Sequence, residues 1–168
     1  MKIVERVITF LSELSAWISG IFVVLMILLI TVEVAGRKLF GFSTLVADEF
    51  SGYMLVLITF MGAAYTVKTE GFTRMEVIYL RVKGKGRWVL NFLIYLIALI
   101  FLLIVDYWIW TFVLSSYRAE TRSISIVQTP LFIPQIFMGL GVTLLVLEVI
   151  LQFSLSLLGR DRKGLKEA

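Results

Sequence analysis

Long runs without a charged residue are the feature that most constrains how this chain can fold. Four such runs, of 18 to 25 residues, lie between Glu13 and Glu33, Glu49 and Lys68, Arg87 and Asp106, and Arg122 and Glu148. A helix needs about 20 mainly apolar residues to cross the hydrocarbon core of a bilayer. In lipid, backbone groups must pair within helices or a closed barrel. The runs show no strict alternation of polar and apolar residues, so the sequence predicts membrane-spanning helices.

The predicted fold is a single all-α membrane domain over residues 1–168. With 60% hydrophobic residues the chain is too apolar for a soluble domain of this length. The four predicted transmembrane helices cover about residues 15–34, 46–67, 88–115 and 131–158, and 159–168 form a cytoplasmic tail. In residues 1–14 the apolar side chains share one helical face: Ile3, Val7, Phe10, Leu11 and Leu14. This pattern is typical of a short amphipathic helix at a membrane surface.

Basic residues are distributed unevenly between the two sets of connecting segments. The N-terminal segment, the middle loop and the tail carry 12 Lys and Arg residues, whereas the first and third loops carry 4. Because cytoplasmic segments carry the excess of Lys and Arg, both termini and the middle loop are predicted to be cytoplasmic. The net charge of +4 is then explained by cytoplasmic loops that face anionic lipid headgroups. It does not indicate a nucleic-acid partner.

The residue types on which many enzymes and metal centres depend are missing from this chain. It has no His and no Cys. That excludes disulfides, CxxC redox sites, His-ligated haem and catalytic triads with a His base. We therefore expect no catalytic, cofactor-binding or metal-binding residues, and a membrane enzyme or electron carrier is the least favoured function.

Charged residues at membrane depth are candidates for function. Near the outer ends of the first two spans, Arg37 could pair with Glu49 or Asp48 across a short loop, or these groups could be solvated at the headgroups. Glu33 lies at the same level. Glu148 is the deepest acid, and its role is uncertain. A hydrogen bond to another helix or a contact with a partner chain is favoured over a proton or cation site, because no second acid has an evident matching depth.

Small residues and prolines predict local features of the second and fourth spans. Close helix contacts are expected at Gly52, Gly62, Ala63, Ala64, Gly139 and Gly141. At the start of the fourth span, Thr129 is predicted to cap the helix with Pro130 at its first position. Pro134 then falls in the first turn or just beyond it, where a missing N–H costs little.

Three local patterns occur in a characteristic order along nearly the whole chain. They are Arg37 to Gly41, similar to R-x-x-F-G; Glu49 to Tyr53 followed by Phe60 to Ala64, similar to E-x-x-x-Y and F-x-G-A-A; and Thr129 to Pro134, similar to TPL-x-x-P. Together with four spans and cytoplasmic ends, they resemble the small, DctQ-like membrane subunit of tripartite ATP-independent periplasmic (TRAP) transporters.

The resemblance implies a small scaffold subunit of a secondary-active, sodium-coupled organic-acid transporter in a bacterial or archaeal cytoplasmic (inner) membrane. The implied partners are a large elevator-type membrane subunit that holds the substrate and sodium sites, a periplasmic substrate-binding protein and the lipid bilayer. Nucleic acid is not an expected partner. Residues expected to contact or dock these partners are Arg37, Asp48, Glu49, Tyr53, Gly62, Arg118, Glu120, Arg122, Thr129, Pro130 and Pro134.

An alternative function stays open at this stage. The chain could assemble with copies of itself into a four-helix, cation-coupled transporter or channel that uses Glu148 or Glu33. Small multidrug transporters work in this way, but they are shorter and lack the Thr-Pro-Leu sequence before the last span.

Overall fold

Four long helices make up most of the described chain. The computed structural model describes residues 2–41, 46–69, 85–125 and 127–157. Helix α1 spans Lys2–Phe40, α2 spans Val46–Lys68, α3 spans Lys85–Arg118 and α4 spans Phe132–Leu157. Each contains a segment long and apolar enough to cross a membrane. The predicted all-α fold with four transmembrane helices is confirmed. Most of the middle loop and the predicted tail at 159–168 lie outside the described residues.

Helix α1 differs from its prediction. It runs through 39 residues without a break, so no helix boundary separates residues 2–14 from the first span. No glycine or proline lies near Leu14 to end a helix there. At 1.5 Å per residue α1 is about 58 Å long, far more than the hydrocarbon core of roughly 30 Å. Part of α1 must therefore extend beyond the core, and a surface location for residues 1–14 stays a prediction.

The end of α1 has a definite local cause. Gly41 follows the last helical residue with a φ of +70°, and its N–H donates to the carbonyl of Arg37 at 3.2 Å. Glycine adopts this left-handed conformation without a steric penalty, so it commonly ends helices. Helix α2 begins five residues later, at Val46.

The helices lie in the spatial order α1, α2, α4, α3. Helix α2 packs against both α1 and α4, whereas α3 packs chiefly against α4 and α1 makes a smaller contact with α4. Helices that follow one another along the chain run in opposite directions, so α2 and α4 are parallel neighbours. Within the apolar span of α4, 44% of the residues are buried, against 6% in α1 and 0% in α3. Helix α4 is therefore the centre of the bundle, and α1 and α3 form its flanks.

Glycines allow the closest approach between α2 and α4. A Cβ atom added to Gly141 would lie 2.6 Å from the backbone carbon and oxygen of Phe60, which is closer than atoms can pack. At Gly139 an added Cβ would lie 3.1 Å from the ring of Trp110 on α3. The predicted close contacts are confirmed at these two positions. Gly62 faces Ser19 less tightly, and Gly52 lies in open space, so close packing within the chain was a wrong prediction for Gly52.

Candidate functional site

Most of the predicted site residues gather at one end of the bundle. Helices α1 and α3 end there, α2 and α4 begin there, and residues 119–131 connect α3 to α4. We call this the loop end, and the opposite end, where α1 begins and α2 and α4 finish, the terminal end. Of the candidates for partner contact, Gly62 lies within the bundle, where it faces α1.

The connection between α3 and α4 is folded back on itself. Two antiparallel backbone hydrogen bonds close it: Ser123 N–H to the Thr129 carbonyl, 2.9 Å, and Leu131 N–H to the Thr121 carbonyl, 3.0 Å. Glu120 and Gln128 adopt left-handed backbone conformations with φ of 48° and 51°. We call residues 119–131 the hairpin loop. Its backbone pairing gives it a defined shape that the sequence did not predict.

Glu49, in the first turn of α2, joins that helix to the hairpin loop. Its carboxylate accepts a hydrogen bond of 2.6 Å from the hydroxyl of Tyr53, one turn further along α2. It accepts a second from the Ser125 hydroxyl of the hairpin loop. The side chains of Ser123 and Thr129 lie beside the same carboxylate. A negative charge at a helix N-terminus is also favoured by the helix dipole, so Glu49 suits this position.

Arg37 has a different partner from either of those expected across the first loop. Its guanidinium forms an ion pair of 3.5 Å with Glu33, one turn earlier on α1. Among the described residues, Glu49 is instead bound by Tyr53 and Ser125, and Asp48 is exposed at the start of α2. Of the two possibilities that the sequence left open, pairing of Arg37 with Glu49 or Asp48 is not found among the described contacts. The Arg37 side chain is 54% exposed, so this pair contributes little to stability.

The start of α4 agrees with its prediction only in part. The helix begins at Phe132, so Pro134 lies in the first turn as expected. Thr129 is not the cap, because its hydroxyl oxygen is buried with no hydrogen bond of good geometry. Pro130 precedes the helix and forms an isolated antiparallel bridge with Arg122. The backbone pairing within the hairpin loop holds Thr129 beside Glu49, away from the N–H groups of α4.

Charged and apolar side chains are exposed at the end of α3 and along the hairpin loop. Arg118, Glu120 and Arg122 are all exposed. Two apolar side chains follow along the chain: Ile124, with a relative exposure of 105%, and Val127, with 44%. Sequence reasoning missed Ile124. The available signal was an isoleucine between two serines in a segment outside the predicted spans.

A second polar cluster lies toward the terminal end, inside the bundle. Glu148 on α4 and Ser12 on α1 both have a relative exposure of 0%, and the Ser12 hydroxyl donates to Glu148 Oε2 at 3.1 Å. Ser15 and Ser19 are buried on the same side of α1, and each donates to a backbone carbonyl within its own helix. Gln152, one turn after Glu148, donates to the Val67 carbonyl at 3.5 Å. This cluster joins α1, α2 and α4.

Polar contacts also attach the outer helices to the centre. Thr143 of α4 donates to Asp106 of α3 at 2.8 Å and accepts from the Trp110 ring N–H at 3.0 Å. At the terminal end, Lys68 of α2 pairs with Glu13 of α1. Within the ranges that the structure describes, no three Asp or Glu side chains come together as ligands for a metal ion. The charged and polar groups therefore join helices to one another.

Comparison with known proteins identifies the family. Residues 26–159 match the sequence model for the DctQ component of tripartite ATP-independent periplasmic transporters. The chain belongs to this family. It is also similar to the ectoine TRAP transporter small permease protein TeaB of Halomonas elongata, with 27% identity over 153 residues, which cover 91% of this chain and 79% of that protein. The resemblance seen in the sequence is confirmed.

Membership in the DctQ family defines the coarse function. The chain is the small permease component of a TRAP transporter and a multi-pass protein of the inner membrane. A transporter component is not an enzyme class. The matched region contains Glu49, the hairpin loop and Glu148, whereas Ser12 lies before it. Ser12, a hydrogen-bond partner of Glu148, is therefore outside the matched segment.

Proposed function

We propose that this DctQ-family chain is the scaffold subunit of a sodium-coupled TRAP transporter for an organic acid. A larger membrane subunit holds the substrate and sodium and moves by an elevator motion, while a periplasmic binding protein delivers the substrate. The family match supports a role within such an assembly. The observation that carries the scaffold role is the pairing of the intramembrane acids Glu33, Asp106 and Glu148 with side chains of the same chain.

The proposed orientation puts the loop end in the periplasm and the terminal end in the cytoplasm. The segments at the terminal end carry 12 of the 16 Lys and Arg residues. Cytoplasmic segments of membrane proteins carry such an excess, which supports this orientation. The hairpin loop would then face the compartment of the binding protein.

The flanking helices are the proposed contact surface for lipid and for the large subunit. In α1 and α3 few residues of the apolar span are buried, and many large apolar side chains are exposed, including Trp17 at 75% and Phe101 at 63%. Exposed apolar surface on this scale would be unfavourable in water, but it matches a bilayer or an apolar partner helix. A rigid bundle with two such flanks suits a static support for a moving subunit.

The alternative of a self-assembling cation transporter receives less support from the contacts. Glu148 is buried against Ser12, and Glu33 is paired with Arg37 on its own helix. A site that must exchange a cation with both sides of the membrane needs a path to solvent, and a fully buried carboxylate is poorly placed for that.

Reconstitution tests the proposed function directly. The chain is produced together with the large membrane subunit from the same source, placed in liposomes and supplied with the binding protein and an inward sodium gradient. A panel of organic acids plus ectoine, the compound in the relative's name, is first screened for compounds that raise the Tm of the binding protein. A radiolabelled form of such a compound is then the transported probe. Uptake should need both membrane chains. Uptake by this chain alone would contradict the scaffold role.

A further inference from the structure

We propose that Glu49 is a positioning residue that holds the hairpin loop so that Ile124 and its charged neighbours form a docking surface for the periplasmic binding protein. The inference rests on the proposed function, because the periplasmic binding protein is a partner only if that function is correct. It changes the expected role of Glu49. The sequence suggested that Glu49 contacts a partner directly. The geometry instead points to Glu49 as a residue that positions the loop, and the loop contacts the partner.

Ser125, the residue next to Ile124, links the hairpin loop to α2. Its hydroxyl donates to Glu49, and its backbone N–H donates to the Ser123 hydroxyl at 3.3 Å. Ser123 and Ser125 are half-buried, whereas Ile124 between them is fully exposed. The chain bends at Ile124 and Ser125. The hydrogen bonds of Ser125 hold this bend against the bundle with Ile124 as its exposed side chain.

Glu49 is itself held in one orientation. The Tyr53 hydroxyl binds one carboxylate oxygen at 2.6 Å and the Ser125 hydroxyl binds the other. Hydrogen bonds to an ionised carboxylate are stronger than those between neutral groups. With both oxygens occupied by groups of this chain, Glu49 acts on a partner through the loop. A direct contact with the partner is not needed.

The surface around Ile124 has the composition of a small protein interface. An apolar centre surrounded by charged residues is the usual arrangement at such interfaces. Here Ile124 and Val127 are the exposed apolar residues, and the exposed Arg118, Glu120 and Arg122 precede them along the same connection. Charges of both signs favour a protein over an anionic lipid surface, which would attract a purely basic patch. Of the proteins in the proposed assembly, the binding protein is the soluble one, and it shares the proposed compartment of the loop.

Three variants separate the positioning role from the contact role. Glu49→Gln and Ser125→Ala each weaken the link between α2 and the loop, whereas Ile124→Ser removes the apolar contact itself. Ser115→Ala is the matched control, because it removes an exposed hydroxyl near the end of α3 that bonds its own helix at Phe112. All four are made in the complex with the large subunit.

Docking is measured on every complex in lipid nanodiscs, and loop order on every complex except that of Ile124→Ser. Docking is followed by fluorescence anisotropy as fluorophore-labelled binding protein is titrated. Loop order is followed by electron paramagnetic resonance of a spin label at Ile124→Cys, which is a unique position because the chain has no cysteine. Accessible cysteines of the large subunit are replaced beforehand. Co-purification of the large subunit reports assembly.

Glu49→Gln and Ser125→Ala should make the label more mobile and raise the Kd for the binding protein by at least about fivefold. Ile124→Ser should raise the Kd to a similar degree, and Ser115→Ala should change neither quantity. An unchanged label in both Glu49→Gln and Ser125→Ala would overturn the positioning role. An unchanged Kd in Ile124→Ser would overturn the docking surface, as would loss of the large subunit from these variants. Failure of the unaltered complex to bind the binding protein would instead contradict the proposed function.

Discussion

Glu148 is a fully buried carboxylate with a hydrogen-bond partner inside the bundle. A carboxylate at 0% exposure is costly in an apolar interior unless hydrogen bonds compensate it. The Ser12 hydroxyl supplies one such bond, and it also connects the first and last helices of the chain. At the scale of the residue, Glu148 is best understood as an internal contact that sets where α1 lies against α4.

Glu148→Gln should retain most sodium-coupled uptake of the assembled transporter. The amide oxygen of glutamine can still accept the Ser12 hydroxyl, and hydrogen bonds between membrane helices contribute on average only about 0.6 kcal/mol. We expect the initial uptake rate to stay within about threefold of the unaltered protein. The measurement is uptake against external sodium concentration. Loss of sodium dependence with normal assembly would contradict the structural role and indicate a cation or proton site.

At the scale of the helix, the pair α2 and α4 depends on a missing side chain. The backbone of Phe60 occupies the space that a Cβ of Gly141 would take. Glycine is unfavourable within a helix on its own account, so its presence here is explained by the close approach that it allows. The same reasoning does not apply to Gly20 of α1, which has no neighbouring atom within 4 Å of an added Cβ.

Gly141→Ala should lower the stability of the bundle. An added methyl group would force the two backbones apart, and overpacking of this kind costs about 1–3 kcal/mol. Gly20→Ala is the matched control, and it should be neutral or slightly stabilising because alanine is the better helix former. The measurement is the midpoint of thermal unfolding in detergent, followed by circular dichroism. Equal midpoints for the two variants would show that α2 and α4 are not in close contact.

At the scale of the whole molecule, the two ends of the bundle differ in chemistry. The terminal end holds α1, α2 and α4 together through buried polar contacts such as the one between Ser12 and Glu148. The loop end instead has charges that remain exposed, among them Arg118 and Arg122. Exposed charges mainly affect the rate of association of a partner and contribute little to stability. This division supports assembly along the flanks and docking at the loop end.

Arg122→Glu should slow docking of the binding protein without reducing assembly. Reversing one exposed charge changes the electrostatic steering of the encounter, and we expect the association rate to change by roughly fivefold at low salt. The difference should shrink at high salt, because salt screens exposed charges. Stopped-flow fluorescence at two salt concentrations measures the rate. An effect of the same size at both concentrations, or none at either, would contradict an electrostatic role for Arg122.

Local patterns were sufficient for some of the site and insufficient for the rest. The glycines at positions 139 and 141 could be assigned to close contacts because small residues within a span have few other uses. Thr129 was misassigned as a helix cap, because capping and loop pairing use the same residue types and only the fold distinguishes them. Ile124 was overlooked because a single apolar residue in a loop has no periodic pattern.

The sequence by itself determined the number of membrane helices and the family, since the bilayer thickness requires long apolar runs and the family motifs are local. The tertiary structure alone decided the order of the helices and the partners of the acids. Ser125 is 76 positions from Glu49, and Ser12 is 136 positions from Glu148. Contacts across such distances depend on how whole helices pack. A four-helix chain allows several packings with the same hydrophobic pattern, so these partners cannot be read from the local sequence.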